Sequence, residues 1–439
     1  MKQKQFNFLI SWFILTVLMI PVFSLNALGT ASKDFYSNWQ LESDVLAIAK
    51  IDSVTNGVDL WDYGLLVAQP NQMAPLLSDQ QDLNKWTGNK ESDYVPYQSQ
   101  IGLQGKLLVF LSSVGIDSLS KLQFVNALLF SIVFSYFILI IFRISNMLFA
   151  ACVVATTIFS PWMVAASHSL FWAAWSWFLP AIFAYYFVTA KNLGQKIAFG
   201  IATIGAFVFR FGSGYEFLTS FTLFAAGMPL LIHLFGRSES VSTLRQVILQ
   251  ALSVVGLAVS AFFTTLLLHA NLRGHGNIPQ GIADIINQDV LRRTYGDPGV
   301  WANPEIQASL LANPLSVIKM YVFNWNTEFL VAGSQSPFTF VFGPQAPWVF
   351  ISLAIAVITI QYLKKNHDFR LNSIMLLWAS SIPFSWYVLA KSHSFIHTQI
   401  NYVLWYLFFA AVLLYIPLHA ALRYLQSSKA NDFFTTRSK

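Results

Sequence analysis

Long apolar runs alternate with short polar connections along this chain, and that rhythm sets the frame for everything else in it. A helix that crosses a bilayer needs roughly 20 mostly apolar residues, because each backbone N–H and C=O in hydrocarbon must be bonded within its own segment. Ten stretches read as spans: 7–26, 121–142, 146–164, 170–190, 196–210, 215–235, 246–269, 347–363, 371–390 and 398–421. The pattern therefore predicts an all-α polytopic membrane protein with about ten transmembrane helices. It separates a first helix (1–26), a large loop (27–120), six helices (121–270), a second large loop (271–346), three helices (347–421) and a polar tail (422–439).

Both loops carry structure of their own. The segment LESDVLAIAK, from Leu41 to Lys50, has apolar residues at helical spacing and predicts an amphipathic helix on the membrane surface. GLQGKLLVFLSSVG, from Gly102 to Gly115, is too short to span and predicts a second interfacial or re-entrant helix. The second loop holds Gly274, Gly276, Arg292, Arg293, Asp297 and Pro298 among Asn and Trp residues. Loops of this length in a compact protein are functional or disordered, and the aromatic content argues for order.

Orientation follows from the cations. Lys2, Lys4, Arg143, Lys191, Lys196, Arg237, Arg245, Lys364, Lys365, Arg370, Arg423, Lys429, Arg437 and Lys439 fall on one side of the ten spans, while the short connections opposite hold only Arg210 and Lys391. The rule puts both termini in the cytoplasm and both large loops outside. MKQKQ, an apolar run and NALGTAS also resemble a signal peptide. The apolar run exceeds the roughly 7–15 residues of a signal core, which favours a retained helix. Short loops and the lack of an ER-retention signal point to a bacterial inner membrane.

Composition supports the membrane reading: 55% of the 439 residues are hydrophobic and 10% charged, against about 25% charged in soluble domains. The net charge of +6 does not indicate nucleic acid, because Lys and Arg are scattered between apolar blocks and form no basic stripe. A single cysteine, Cys152, excludes an intrachain disulfide and a cysteine-based zinc site. There is no inverted internal repeat and no low-complexity segment, which weighs against a secondary transporter.

Charged groups near a bilayer are costly, so their positions are informative. At the outer mouths of the spans stand Glu42 and Asp44, His168, Arg210 with Tyr215 and Glu216 in RFGSGYE, and Lys391 with His393 and His397 in KSHSFIH. Glu42 and Asp44 are two apart and do not share a helical face. Either they serve the N-terminus of a helix, or one caps it while the other meets a substrate. Arg210 beside a Gly-Ser-Gly break either grips a phosphate with its planar fork or pairs with Glu216 across a short hairpin. His393 and His397 share a face if helical. They offer hydrogen bonds to an anionic ligand, a structural contact, or, with His168 or Asp44 as a third ligand, a divalent-metal site. Arg292 and Arg293 in LRRTYGDPG either contact a lipid phosphate or decorate the surface. Trp162, Trp172, Trp175 and Trp177 fit an interfacial aromatic belt.

The order of these features resembles the GT-C superfamily of membrane glycosyltransferases, which includes dolichyl-phosphate-mannose protein mannosyltransferases and the aminoarabinose transferases of lipid A. Glu42-Ser43-Asp44, Asn56-Gly57 and Tyr94-Val95-Pro96-Tyr97 through Gly105 fall in that family's first-loop order, over residues 1–145. The resemblance implies transfer of a sugar from a polyprenyl-phosphate donor to a glycan, lipid or protein acceptor, with membrane lipids around the protein. It implies Asp44, then Glu42, as general base or acceptor-orienting group. Arg210, Lys391, Arg292 and Arg293 become candidate donor-phosphate ligands, and His393, His397, Tyr215, Glu216 and His168 candidate substrate contacts. No cofactor follows beyond a possible divalent metal. The alternatives are an envelope-glycan polymerase or ligase, whose dominant loop would come late in the chain, and a transporter, which would carry charges midway along several spans.

Overall fold

The structure is a computed structural model that describes residues 2–38, 41–55, 62–68, 94–236, 243–323 and 347–436. Among the described residues it is all-α apart from one two-stranded antiparallel ribbon, in which Leu66–Ala68 pairs with Tyr94–Pro96. Among the described residues, four helices have stretches long and apolar enough to cross a membrane: Phe6–Leu25, Leu119–Ile144, Leu244–Arg273 and Phe409–Gln426. Two bent pairs raise the number to six, Met147–Ile158 with Pro161–His168 at 71° and Pro304–Leu311 with Pro314–Phe323 at 101°.

That count is lower than the ten spans expected from apolar runs alone, and local breaks account for part of the difference. The run 170–190 is interrupted by a 3₁₀ turn at Ala174–Trp177, leaving an α-helix of 11 residues, Leu179–Thr189. The run 215–235 is split at Gly227, beside Pro229, into Leu218–Ala226 and Met228–Leu234. Proline lacks the N–H that would continue the ladder, so such a run stays apolar without staying straight. Pro347–Leu363 has 17 residues. The second bent pair lies within the second loop, where no span was expected.

Caps explain where the long helices start. Ser118, Asn146 and Asn192 each accept a backbone N–H of the first turn, and Thr243 with Gln246 forms a reciprocal capping box. The core between helices is aromatic. Phe178 packs against Phe137 at 5.1 Å and Phe224 at 5.9 Å between ring centroids, and Phe224 lies 5.0 Å from Phe408. Such pairs add about 0.5–1.5 kcal/mol each beyond the area they bury. By contrast Phe13, Leu18, Leu252 and Phe263 are exposed along their helices, an apolar surface of the kind that lipid covers.

The helix expected at 41–50 is present as Leu41–Thr55, and the one expected within 102–115 as Leu103–Ser113, packed against it. Asn56 and Gly57 lie outside the described residues. The second loop begins as a helical hairpin in which Ile278–Ile285 folds back on the end of Leu244–Arg273. A Cβ at Gly281 would sit 1.9 Å from the Ala270 carbonyl oxygen, so this approach requires glycine.

Candidate functional site

A cavity of about 420 Å³ opens where the two loops meet, a volume in the ordinary range for small-molecule sites, about 300–1,000 Å³. Six parts of the chain build its walls, one of them the helix Leu41–Thr55 through Leu46. The ribbon brings Val67 and Tyr97, and the turn after His168 brings Phe171 and Trp172. The second loop supplies Arg292, Arg293, Asn303 and Glu305, and the short helix Lys391–Ile396 with its following turn supplies Ser392, His393 and His397. Glu216, from the break after Leu193–Gly212, completes the polar lining.

The sequence-derived candidates thus divide into two groups. Arg292, Arg293, Glu216, His393 and His397 come together in the cavity. Arg293 Nη1 lies 3.3 Å from Glu216 Oε1. Burial acts against the Arg293 cation, but the Glu216 carboxylate and neighbouring groups outweigh it and hold its pKa above the ordinary value. Arg292 is more open; burial and then the Arg293 charge lower its pKa. The two imidazoles lie against each other at 4.7 Å between centroids, tilted by 55°. Burial pushes His393 well below the usual histidine range, with His397 and Arg293 adding to it, and lowers His397 by burial and then Arg293. Both therefore face the cavity as neutral rings.

The second group does not line the cavity, because its members bond to the scaffold. Asp44 is buried, and its Oδ1 accepts from Ser169 Oγ at 3.1 Å, Leu170 N at 2.8 Å and Phe171 N at 3.4 Å, while Oδ2 accepts from Gln123 Nε2 at 3.2 Å. Asp44 therefore pins the turn that presents Phe171 and Trp172. Desolvation raises its pKa to about 6, against the pull of those hydrogen bonds. Glu42 lies on the same helix, and its side chain lies outside the described residues.

Arg210 is buried under Phe221, 4.9 Å from the ring, and donates to the Glu216 carbonyl at 3.1 Å. The expected Arg210–Glu216 link thus runs through backbone, and the carboxylate goes to Arg293. Lys391 donates to the Leu310 carbonyl and, at 3.4 Å, to Ser309, at the C-terminal end of the helix Pro304–Leu311, where a cation complements the exposed carbonyls. His168 Nε2 donates to the Tyr36 carbonyl at 2.9 Å, and Tyr215 donates to His269 Nδ1 at 3.1 Å.

Several cavity residues carried no sequence signal. Asn303 and Glu305 open the helix Pro304–Leu311, where Asn303 caps the Glu305 N–H at 2.8 Å, and they read along the chain as an ordinary helix start. Tyr97 belongs to the proline stretch and Trp172 to the aromatic belt. Among the described residues no group of three or more His, Cys, Asp or Glu is arranged to hold a metal ion. Comparison with family models, with curated proteins and with solved structures returns no match.

Proposed function

We propose that this chain is an integral membrane glycosyltransferase, transferring a sugar from a polyprenyl-phosphate donor to a glycan, lipid or protein acceptor outside the cytoplasm. In this reading the chain crosses a bacterial inner membrane about ten times, short and broken helices included, with both termini cytoplasmic. The single observation that carries the reading is the cavity. Two arginines, two neutral imidazoles, two carboxylates and an aromatic wall of Tyr97, Phe171 and Trp172 converge beside apolar helices.

The chemistry divides among these groups. A lipid-linked donor keeps its chain in the bilayer and offers a phosphate at the interface, which Arg292 and Arg293 bind by charge-assisted hydrogen bonds. The acceptor oxygen attacks the anomeric carbon as the bond from that carbon to the phosphate oxygen breaks. The electron pair leaves with the phosphate, next to the arginines that stabilise it. The acceptor's proton passes to a base at the cavity wall. Glu216 is already committed to Arg293, so the more exposed Glu305 is the carboxylate best placed for that step. Asp44, bonded on both oxygens, acts by holding the aromatic turn.

The test compares lipid-linked sugars and surface glycans, by mass spectrometry, in cells with the wild-type protein, without it, and with Arg293→Ala at equal protein level. Loss of one glycan modification, with accumulation of a polyprenyl-phosphate sugar, is expected in the last two. Identical profiles in all three would refute the proposal.

A further inference from the structure

Behind the cavity lies an ion pair that the proposed chemistry does not use. Arg273, the last residue of the helix Leu244–Arg273, places Nη1 2.9 Å from Asp289 Oδ2, with both side chains almost fully buried. The rest of the Arg273 fork is occupied too: Nη1 also donates to the Gln98 carbonyl and Nη2 to Gln288 Oε1. His269 Nε2 donates to that same carbonyl at 3.0 Å. Arg273 is therefore fixed from several sides, and it holds Asp289 through a short charge-assisted hydrogen bond.

Its other oxygen, Oδ1, points to Arg292 at 3.9 Å. Arg292 lines the cavity, its side chain is 37% exposed, and its guanidinium lies 6.0 Å from the Trp301 ring. An arginine side chain has several rotatable bonds, so one standing at a cavity wall needs an anchor to present its fork in one direction. A buried ion pair is a poor way merely to fasten a loop, since an apolar pair of similar volume does so without the desolvation cost. A carboxylate fixed on one side by a buried arginine is, however, a good way to aim a second one. The π-helical turn Ile286–Val290 carries Asp289 into this position, and such turns are frequent where function sets local geometry.

We propose that Asp289 is a positioning residue that aims Arg292 at a phosphate in the cavity, held in place by Arg273. This rests on the polyprenyl-phosphate reading of the cavity and adds a device that sets affinity for the phosphate group. The substrate class it serves is an anionic, lipid-linked phosphate, and the matching polyprenol without phosphate gains nothing from it.

The test uses the full-length protein in lipid nanodiscs and measures binding of a polyprenyl monophosphate and of the corresponding polyprenol by native mass spectrometry. Wild type binds the phosphate more tightly. Asp289→Asn weakens phosphate binding about tenfold and leaves polyprenol binding unchanged, and Asp289→Glu, with the charge one methylene further out, falls between them. Arg292→Gln shows a similar loss, and the double variant is no worse than Arg292→Gln alone, because Asp289 acts through Arg292. Unchanged binding in Asp289→Asn overturns the proposal, as do additive losses in the double variant, which mean that Asp289 supports the fold and not Arg292. Should Asp289→Asn fail to accumulate, the same cycle run with Asp289→Glu decides it. A wild-type protein without preference for the phosphate overturns the donor reading itself, a result distinct from the others.

Discussion

Arg293 Nη1 stands 3.3 Å from Glu216 Oε1, with both side chains about a tenth exposed or less. The pair joins the second loop to the break that follows Leu193–Gly212, on the wall of the cavity. Removing one member of a buried pair leaves an uncompensated charge and costs about 3–5 kcal/mol. Arg293→Ala and Glu216→Ala are therefore each expected to lower the thermal midpoint of the purified protein. The exchange Glu216→Arg with Arg293→Glu should recover most of that midpoint but no phosphate binding, because a carboxylate then stands where the second loop held a cation. Recovery of binding in the exchanged protein would show that only the pair matters, and not which side the cation is on.

Asp44 separates two roles that its sequence context left open. Three of its four hydrogen bonds end on Oδ1, and an asparagine Oδ1 can keep all three. The fourth comes from the Gln123 amide, which can reverse to accept from the new Nδ2. Asp44→Asn should stay folded and retain activity within about threefold, whereas Asp44→Ala should lose about 1–3 kcal/mol from donors left unsatisfied. The charge also has a pH signature. Its pKa, about 6 when folded, exceeds the unfolded value near 4, so the stability it contributes is complete below about pH 4 and is lost as pH rises to about 6. Asp44→Asn should flatten that part of the stability profile. An inactive but stable Asp44→Asn would instead restore Asp44 as the base.

How far these relationships can be read from the sequence depends on the distance over which each is made. The long apolar runs fix Leu119–Ile144 and Leu244–Arg273, because a helix in lipid depends only on its own residues. RFGSGYE announces a break, since glycine and serine interrupt a helix locally, yet not that Glu216 turns to Arg293. The partners of Asp44 are backbone N–H groups at Leu170 and Phe171, which no residue type advertises. Arg273 and Asp289 meet only because Gly281 lets one helix fold back against another. The kinks at Gly227 and before Pro161 are legible as residues, but their effect on span length depends on the neighbours that stabilise the bend.

His393 and His397 supply a pH test of the cavity. Both have pKa values pushed down, first by burial and then by neighbouring positive or potentially positive groups. A histidine lowered in the fold is protonated first in the unfolded chain, so the stability it contributes is present above the ordinary value near 6.5 and is lost as pH falls below it. Phosphate binding should accordingly show no histidine step between about pH 6 and 8, and His397→Asn, neutral at every pH, should leave the profile unchanged in shape. A rise in phosphate affinity on acidification through pH 6.5, abolished by His397→Asn, would mean that a protonated imidazole binds the anion.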